Sequence, residues 1–201
     1  MTDTLAAISE LHYSPSHEYA VKLLAHLTRH RGNLEMIALK LRNVVTALVR
    51  ASKSPNEGAR EHACYALQNL SQHKRCRQEL AMTPNLLTAL CLRVNEATLP
   101  KERLAAIHAL KNLTDEPANL ITMTNTPECI ETFMQLAHAN DESITEMMQY
   151  LGCDALATLS HWYRSIATGG LRIEYQKQGK SLSKDKMFVP SLNMVNWEQW
   201  Q

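Results

Sequence analysis

The chain has 201 residues, of which 45% are hydrophobic and 5% aromatic, so it can bury a core but must build it from aliphatic and small side chains. Scarce Gly (6) and Pro (7) argue against an all-β fold and for helices. A formal net charge of +1 excludes a global field that would draw in nucleic acid or an anionic membrane.

Met1-Thr2-Asp3-Thr4 has no basic patch followed by an apolar run, and no stretch approaches the ~18 apolar residues that span a bilayer. The expected location is cytoplasmic and/or nuclear. The cysteines (Cys64, Cys76, Cys91, Cys129, Cys153) are odd in number and form no CxxC pair. They are expected as small buried apolar residues in a reducing compartment.

In chain order, Leu5, Ile8 and Leu11 have helical spacing, and residues 1–13 are predicted as an N-terminal capping helix. Ser14-Pro15-Ser16 then reads as a turn. A repeat domain is predicted over 14–168. Four segments align within it: Leu23-Leu24-Ala25-His26-Leu27-Thr28, Ala66-Leu67-Gln68-Asn69-Leu70-Ser71, Ala109-Leu110-Lys111-Asn112-Leu113-Thr114 and Ala155-Leu156-Ala157-Thr158-Leu159-Ser160. Their starts differ by 43, 43 and 46 residues. Upstream, Ala20, Ala63, Ala106 and Gly152 share one slot. The resulting i, i+3, i+4, i+7 pattern is one face of an amphipathic helix, with small residues where neighbours approach closely.

Downstream of each segment, Asn33, Cys76 and Asn119 share a slot, as do Ile37, Leu80 and Met123, then Val44, Leu87 and Ile130. Pro84 and Pro127 occupy one position, suited to the first turn of a new helix. With no such breaker in the first unit, 33–50 is expected as a nearly continuous helix. Turn-forming loops at 52–58, 95–100 and 140–143 separate second helices from third ones. Each unit reads as a short helix, a second helix, a polar loop and a longer third helix.

After Gly169-Gly170 the pattern stops. Residues 169–201 read as a basic linker and a tail containing Trp197 and Trp200. Three readings of the tail stay open: a cap on the last repeat, a motif that docks on a partner, or an occupant of the protein's own groove.

The Ala-Leu-x-Asn-Leu-Ser/Thr strings at 66–71 and 109–114 resemble the third-helix motif of armadillo repeats. The resemblance covers roughly 14–165, and the Asn favours armadillo over HEAT repeats. It implies an all-α, right-handed α-α superhelix: an armadillo-like solenoid of about four three-helix units. By that resemblance the third helices line a concave groove. The Asn slot holds His26, Asn69, Asn112 and Thr158, and one turn earlier lie Lys22, Tyr65, His108 and Asp154. The resemblance gives Asn69 and Asn112 the task of bonding the backbone of an extended peptide; a second reading has the Asn fix repeat stacking. Helices ~8–10 Å apart and a strand rise of about 3.3 Å give a groove holding on the order of nine ligand residues.

The expected function is a noncatalytic protein–protein interaction module that binds an extended peptide or helix in that groove. The alternative is a structural adaptor or subunit using convex or end faces in a larger assembly. Partners are a protein or peptide, with no small-molecule substrate, membrane, cofactor or metal expected. His26-x3-His30 lacks further ligands nearby in sequence. Cys153, Asp154 and His161 lie on one predicted helix, and there is no phosphate loop, GxSxG or HExxH, so no enzyme is expected. Lys74-Arg75-x-Arg77 with Lys40 and Arg42 forms a basic cluster without interleaved aromatics for base stacking, so nucleic acid is not the expected partner.

Overall fold

The apolar spacing becomes a row of long helices. The structure, a computed structural model, describes residues 16–40, 42–139 and 144–167. The chain runs α1 (Ser16–Leu27), α2 (Arg31–Glu35), a π-helical turn (Met36–Lys40), α3 (Arg42–Ala51), α4 (Glu57–Gln72), α5 (Lys74–Ala81), α6 (Leu86–Glu96), α7 (Pro100–Thr114), a 3-10 turn (Pro117–Asn119), α8 (Leu120–Thr124), α9 (Pro127–His138) and α10 (Glu146–Ala167). Among the described residues there is no strand, and the fold is all-α.

Helices α1, α4, α7 and α10 pack side by side in that order. Helices α3, α6 and α9 each pack on the long helix that follows, and α6 also packs on α9. The recurrent small slot lets the long helices approach: Ala20, Ala63, Ala106 and Gly152 are all buried. Leu24, Leu67 and Leu110 fill the space beside them, with Leu70, Leu113 and Leu159 one turn on. Burying each such leucine stabilises the fold by about 1.5–3 kcal/mol. At Gly152 a Cβ would lie 2.8 Å from Leu136 Cβ and 3.3 Å from the Phe133 carbonyl oxygen of α9.

The breaks have local causes. The first unit is helical through 31–40 and 42–51, as its lack of a breaker predicts, with a π-helical turn at Met36–Lys40. In the third unit, Pro127 opens α9 at its first turn. The expectation for Pro84 needs correction: α6 begins two residues later, because Asn85, at the position before its first turn, takes a left-handed backbone (φ 61°). Asparagine tolerates that conformation better than most residues.

Side chains recurring at 43 residues also close the helix ends. Asn33 Nδ2 donates to the Leu27 carbonyl (3.0 Å) and Asn119 Nδ2 to that of Leu113 (3.1 Å), satisfying orphan acceptors of α1 and α7. In the middle unit the slot is Cys76, and Arg77 Nε takes over by donating to the Ser71 carbonyl at 2.9 Å. Arg60 and Arg103 reach carbonyls just beyond the second helices, those of Ser54 (3.0 Å) and Ala97 (2.8 Å).

One polar cluster breaks the repeat. Glu102, fully buried where α4 has Ala59, accepts from Arg60 Nε (3.2 Å) and Arg93 Nη1 (3.4 Å) through Oε1. It ties α4, α6 and α7 together. Glu102 Oε2 and Arg93 Nε have no partner among the described residues.

Two end positions depart from the periodic reading. Leu23 is 51% exposed although Ala66, Ala109 and Ala155 in the same slot are buried, since no described helix precedes α1. Cys153 is exposed although Cys64 in the same slot is buried, since no described helix follows α10. Leu156 is half-buried for the same reason. The expected capping helix at 1–13 and the tail at 169–201, with Trp197 and Trp200, lie outside the described residues, as do Ser14-Pro15 and the loop at 140–143.

The cysteines thus divide into two classes. Burial pushes the Cys64 thiol up strongly, and it pushes Cys76 up to about 11 with help from Glu35. In the native protein, one thiol, Cys153, is expected to react fast with Ellman's reagent, and the four buried ones only on unfolding. Two or more fast thiols under native conditions would contradict the packing described.

Candidate functional site

The candidate site is the face shared by α1, α4, α7 and α10. Lys22 and His26 stand exposed on α1. Tyr65 and Asn69 on α4, His108 and Asn112 on α7, and Asp154 and Thr158 on α10 are half-buried. Lys22, Tyr65, His108 and Asp154 therefore recur along four helices packed in order.

Each asparagine amide makes one bond between layers. Asn69 Nδ2 donates to Thr28 Oγ1, one residue past the end of α1, at 3.1 Å, and Asn112 Nδ2 donates to Ser71 Oγ of α4 at 3.0 Å. Each acceptor hydroxyl in turn donates to a carbonyl of its own helix, Ala25 and Gln68 respectively, at 2.7 Å. The Asn and the Ser/Thr two residues on thus form one device: a hydroxyl offered forward and an amide reaching back one layer. In the fourth unit the device is absent. Thr158 Oγ1 bonds the Asp154 carbonyl of its own helix at 3.0 Å. An ion pair stands in its place, from Lys111 Nζ to Asp154 Oδ2 at 2.9 Å, with Asp115 Oδ1 also on Lys111 at 2.5 Å. Burial alone would lower the Lys111 pKa, but the two carboxylates outweigh it and the net shift is upward.

At about 1 kcal/mol per hydrogen bond, replacing both Asn69 and Asn112 by Ala is expected to destabilise the fold by about 2 kcal/mol. That corresponds to a Tm loss of roughly 4–8 °C. A thermal melt unchanged in the double variant would show that the amides contribute nothing to stacking.

The row brings together residues that sequence spacing did not select. His62 on α4 lies within the electrostatic reach of Lys22 and His26. Its pKa is lowered first by burial, with Lys22 and His26 acting in the same direction, against raising effects of Glu61 and Glu18. His62 sits three residues before Tyr65 and seven before Asn69, so extending the helical face upstream would have found it. Burial lowers His108 as well. Burial and Glu61 raise Tyr65, and Arg29 opposes them. Lys111 carries no periodic signal, since the equivalent residues are Ala25, Gln68 and Ala157.

The histidine pair read from sequence does not share a helix. His26 lies in α1, which ends at Leu27, whereas His30 sits in extended backbone before α2, so they are not one turn apart on a helix. Among the described residues no group of three or more His, Cys, Asp or Glu side chains could hold a metal. The basic cluster read from sequence is divided: Arg75 pairs with Glu35 (3.1 Å) and Arg42 with Glu79 (3.0 Å), while Arg77 lies 3.8 Å from Asp115. No described helix is long and apolar enough to cross a membrane.

No family model matches the chain, and no curated protein matches it. Among solved structures, the chain is similar to the crystal structure of an engineered protein, with a TM-score of 0.61 and 16% identity over 83% of this chain and 68% of that one. At that identity the likeness concerns the fold alone.

Proposed function

We propose that the chain is an armadillo-like solenoid acting as a noncatalytic protein-interaction module. An extended peptide or helix would lie across the concave face of the long helices. One observation carries this reading: four long helices pack in order, and their equivalent positions Lys22, Tyr65, His108 and Asp154 remain open or half-open while the apolar slots beside them are filled. Such a row offers contact points at regular spacing, which suits a repeating backbone better than a compact small molecule. Asn69 and Asn112 are assigned mainly to the scaffold, because their amide donors are engaged between layers. Recognition then falls to Lys22, His26, His62, Tyr65 and His108.

The adaptor reading is favoured by a different observation: Tyr19 (70% exposed) and Leu23 (51%) lie one turn apart on α1 at the end of the row. An apolar end face of that kind suits a neighbouring subunit.

Affinity capture from native lysate, read by mass spectrometry, separates the two. The pair Tyr65→Ala and His108→Ala is expected to release the bound protein, with melting unchanged beyond the lost Tyr65 packing. Release by Tyr19→Ser and Leu23→Ser instead, with the groove pair still binding, would replace the groove with the end face.

A further inference from the structure

A half-open depression of about 380 Å³ lies between the C-terminal ends of α1 and α4, lined by Thr28, Arg29, Arg31, Asn69, His73 and Lys74 among others. Arg29, Arg31 and Lys74 are exposed, and none has a carboxylate partner among the described residues. The nearby acid, Glu35, is taken by Arg75 Nη1 (3.1 Å) and faces His73 Nε2 (3.7 Å). Three cations therefore converge on one concavity without a counter-charge from the described chain.

The repeat carries over only one of these cations. One layer on, the residues equivalent to Arg29, Arg31 and Lys74 are Gln72, Lys74 and Pro117, and those equivalent to Gln72 and His73 are Asp115 and Glu116. The same surface between α4 and α7 thus carries acids, and Asp115 is occupied by Lys111 and approached by Arg77. Helix stability does not call for the cations either. Lys74 opens α5, where the helix dipole disfavours positive charge, and no acid sits in that first turn.

We infer that this depression is an anion site at one end of the peptide groove, and that its ligand is a phosphorylated side chain of the bound peptide. Two guanidinium groups present forks that match oxyanions, and the ammonium of Lys74 adds a point charge. A phosphoserine brings about −1.5 to −2 charges, which balances three cations better than one carboxylate does. Asn69 lines both the depression and the groove face, so a peptide crossing α4 can place a residue there. The inference rests on the groove reading for the ligand's being a peptide.

The test uses dye-labelled peptide pools of about nine residues, the length estimated from strand rise, read by fluorescence anisotropy on the full chain. One pool has a fixed central phosphoserine, one serine, and one an Asp-Asp pair. The phosphoserine pool is expected to bind about tenfold tighter than the serine pool, a difference worth about 1.4 kcal/mol. That preference should weaken as salt rises and vanish in the exposed pair Arg29→Gln and Lys74→Gln. Equal binding of the phosphoserine and serine pools, with Tyr65→Ala and His108→Ala weakening both, overturns the anion site and leaves the groove. A phosphate preference that ignores the Tyr65 and His108 changes but is lost with Arg29 and Lys74 keeps the site and removes the groove. Equal binding of the Asp-Asp pool, a preference that survives the Arg29 and Lys74 changes, or tighter binding of a single-stranded RNA homopolymer or phosphatidylserine vesicles would overturn the phosphopeptide assignment. Absence of binding to every pool would overturn both readings.

Discussion

Replacing Glu102 by Ala is expected to cost about 3 kcal/mol of stability, because two largely buried guanidinium groups lose the buried carboxylate they share and each keeps only a more exposed one, Glu57 or Glu96. Arg60 and Arg93 reach Glu102 Oε1 at 3.2 and 3.4 Å, and their side chains are only 12% and 9% exposed. Arg93 would keep Glu96 at 3.0 Å, and Arg60 would keep the Ser54 and Pro55 carbonyls, so the loss falls on the charges and not on the whole network. Urea unfolding measures it directly. The companion variant replaces Glu102, Arg60 and Arg93 together by Leu, Leu and Met. It is expected to recover most of the loss, since an apolar filling of similar volume is often as stable as a buried ion cluster. A Glu102→Ala unfolding free energy within about 1 kcal/mol of wild type would mean that water reaches the arginines and that the cluster is not a buried one.

Replacing Gly152 by Leu is the second large effect, about 3 kcal/mol, at the upper end of the range for overpacked cores. The first added atom already meets Leu136 Cβ at 2.8 Å, with the Phe133 carbonyl oxygen and the Ala137 nitrogen behind it at 3.3 and 3.5 Å. Two of these are backbone atoms of α9, which cannot step aside without moving the helix. Gly58 provides the contrast: a Cβ there first meets the carboxylate end of Glu18, at 2.6 Å, an exposed group that can swing away at the expense of its 3.3 Å bond from Asn56 Nδ2. Gly58→Ala is therefore expected to be neutral or stabilising by up to about 1 kcal/mol through helix propensity. Melting both variants side by side checks the packing of α10 on α9. Equal effects at the two glycines would show that α9 and α10 are further apart than described.

Much of the scaffold was legible in the chain because its energetics are periodic. Ala63, Leu67 and Leu70 recur as Ala106, Leu110 and Leu113, and both sets are buried in the same way. The asparagine slot was legible as a repeat, but its partner was not. A donor that bonds 41 residues back looks identical, in one dimension, to a donor that waits for a ligand. Glu102 and Lys111 were invisible for the opposite reason. Each occurs once, at a slot held elsewhere by small or neutral residues, and the partner that ties it into the stack comes from another helix. The ends of the row were misread at Leu23 and Cys153 because periodicity assigns a neighbour to every layer, including those that lack a described one.

The exchange of an amide rung for the Lys111–Asp154 ion pair has a consequence for how the molecule comes apart. Two seams, α1 to α4 and α4 to α7, have neutral amide rungs that dissolved ions barely disturb, and the Arg60–Glu102 pair across the second is buried, where salt screens little. The third, α7 to α10, depends on opposite charges, one of them 42% exposed. Raising ionic strength from about 0.01 to 1 M shortens the screening length from about 30 to 3 Å. Amide deuterium uptake should then accelerate in α10 and leave α4 unchanged, so that the array frays from that side while its middle stays shut.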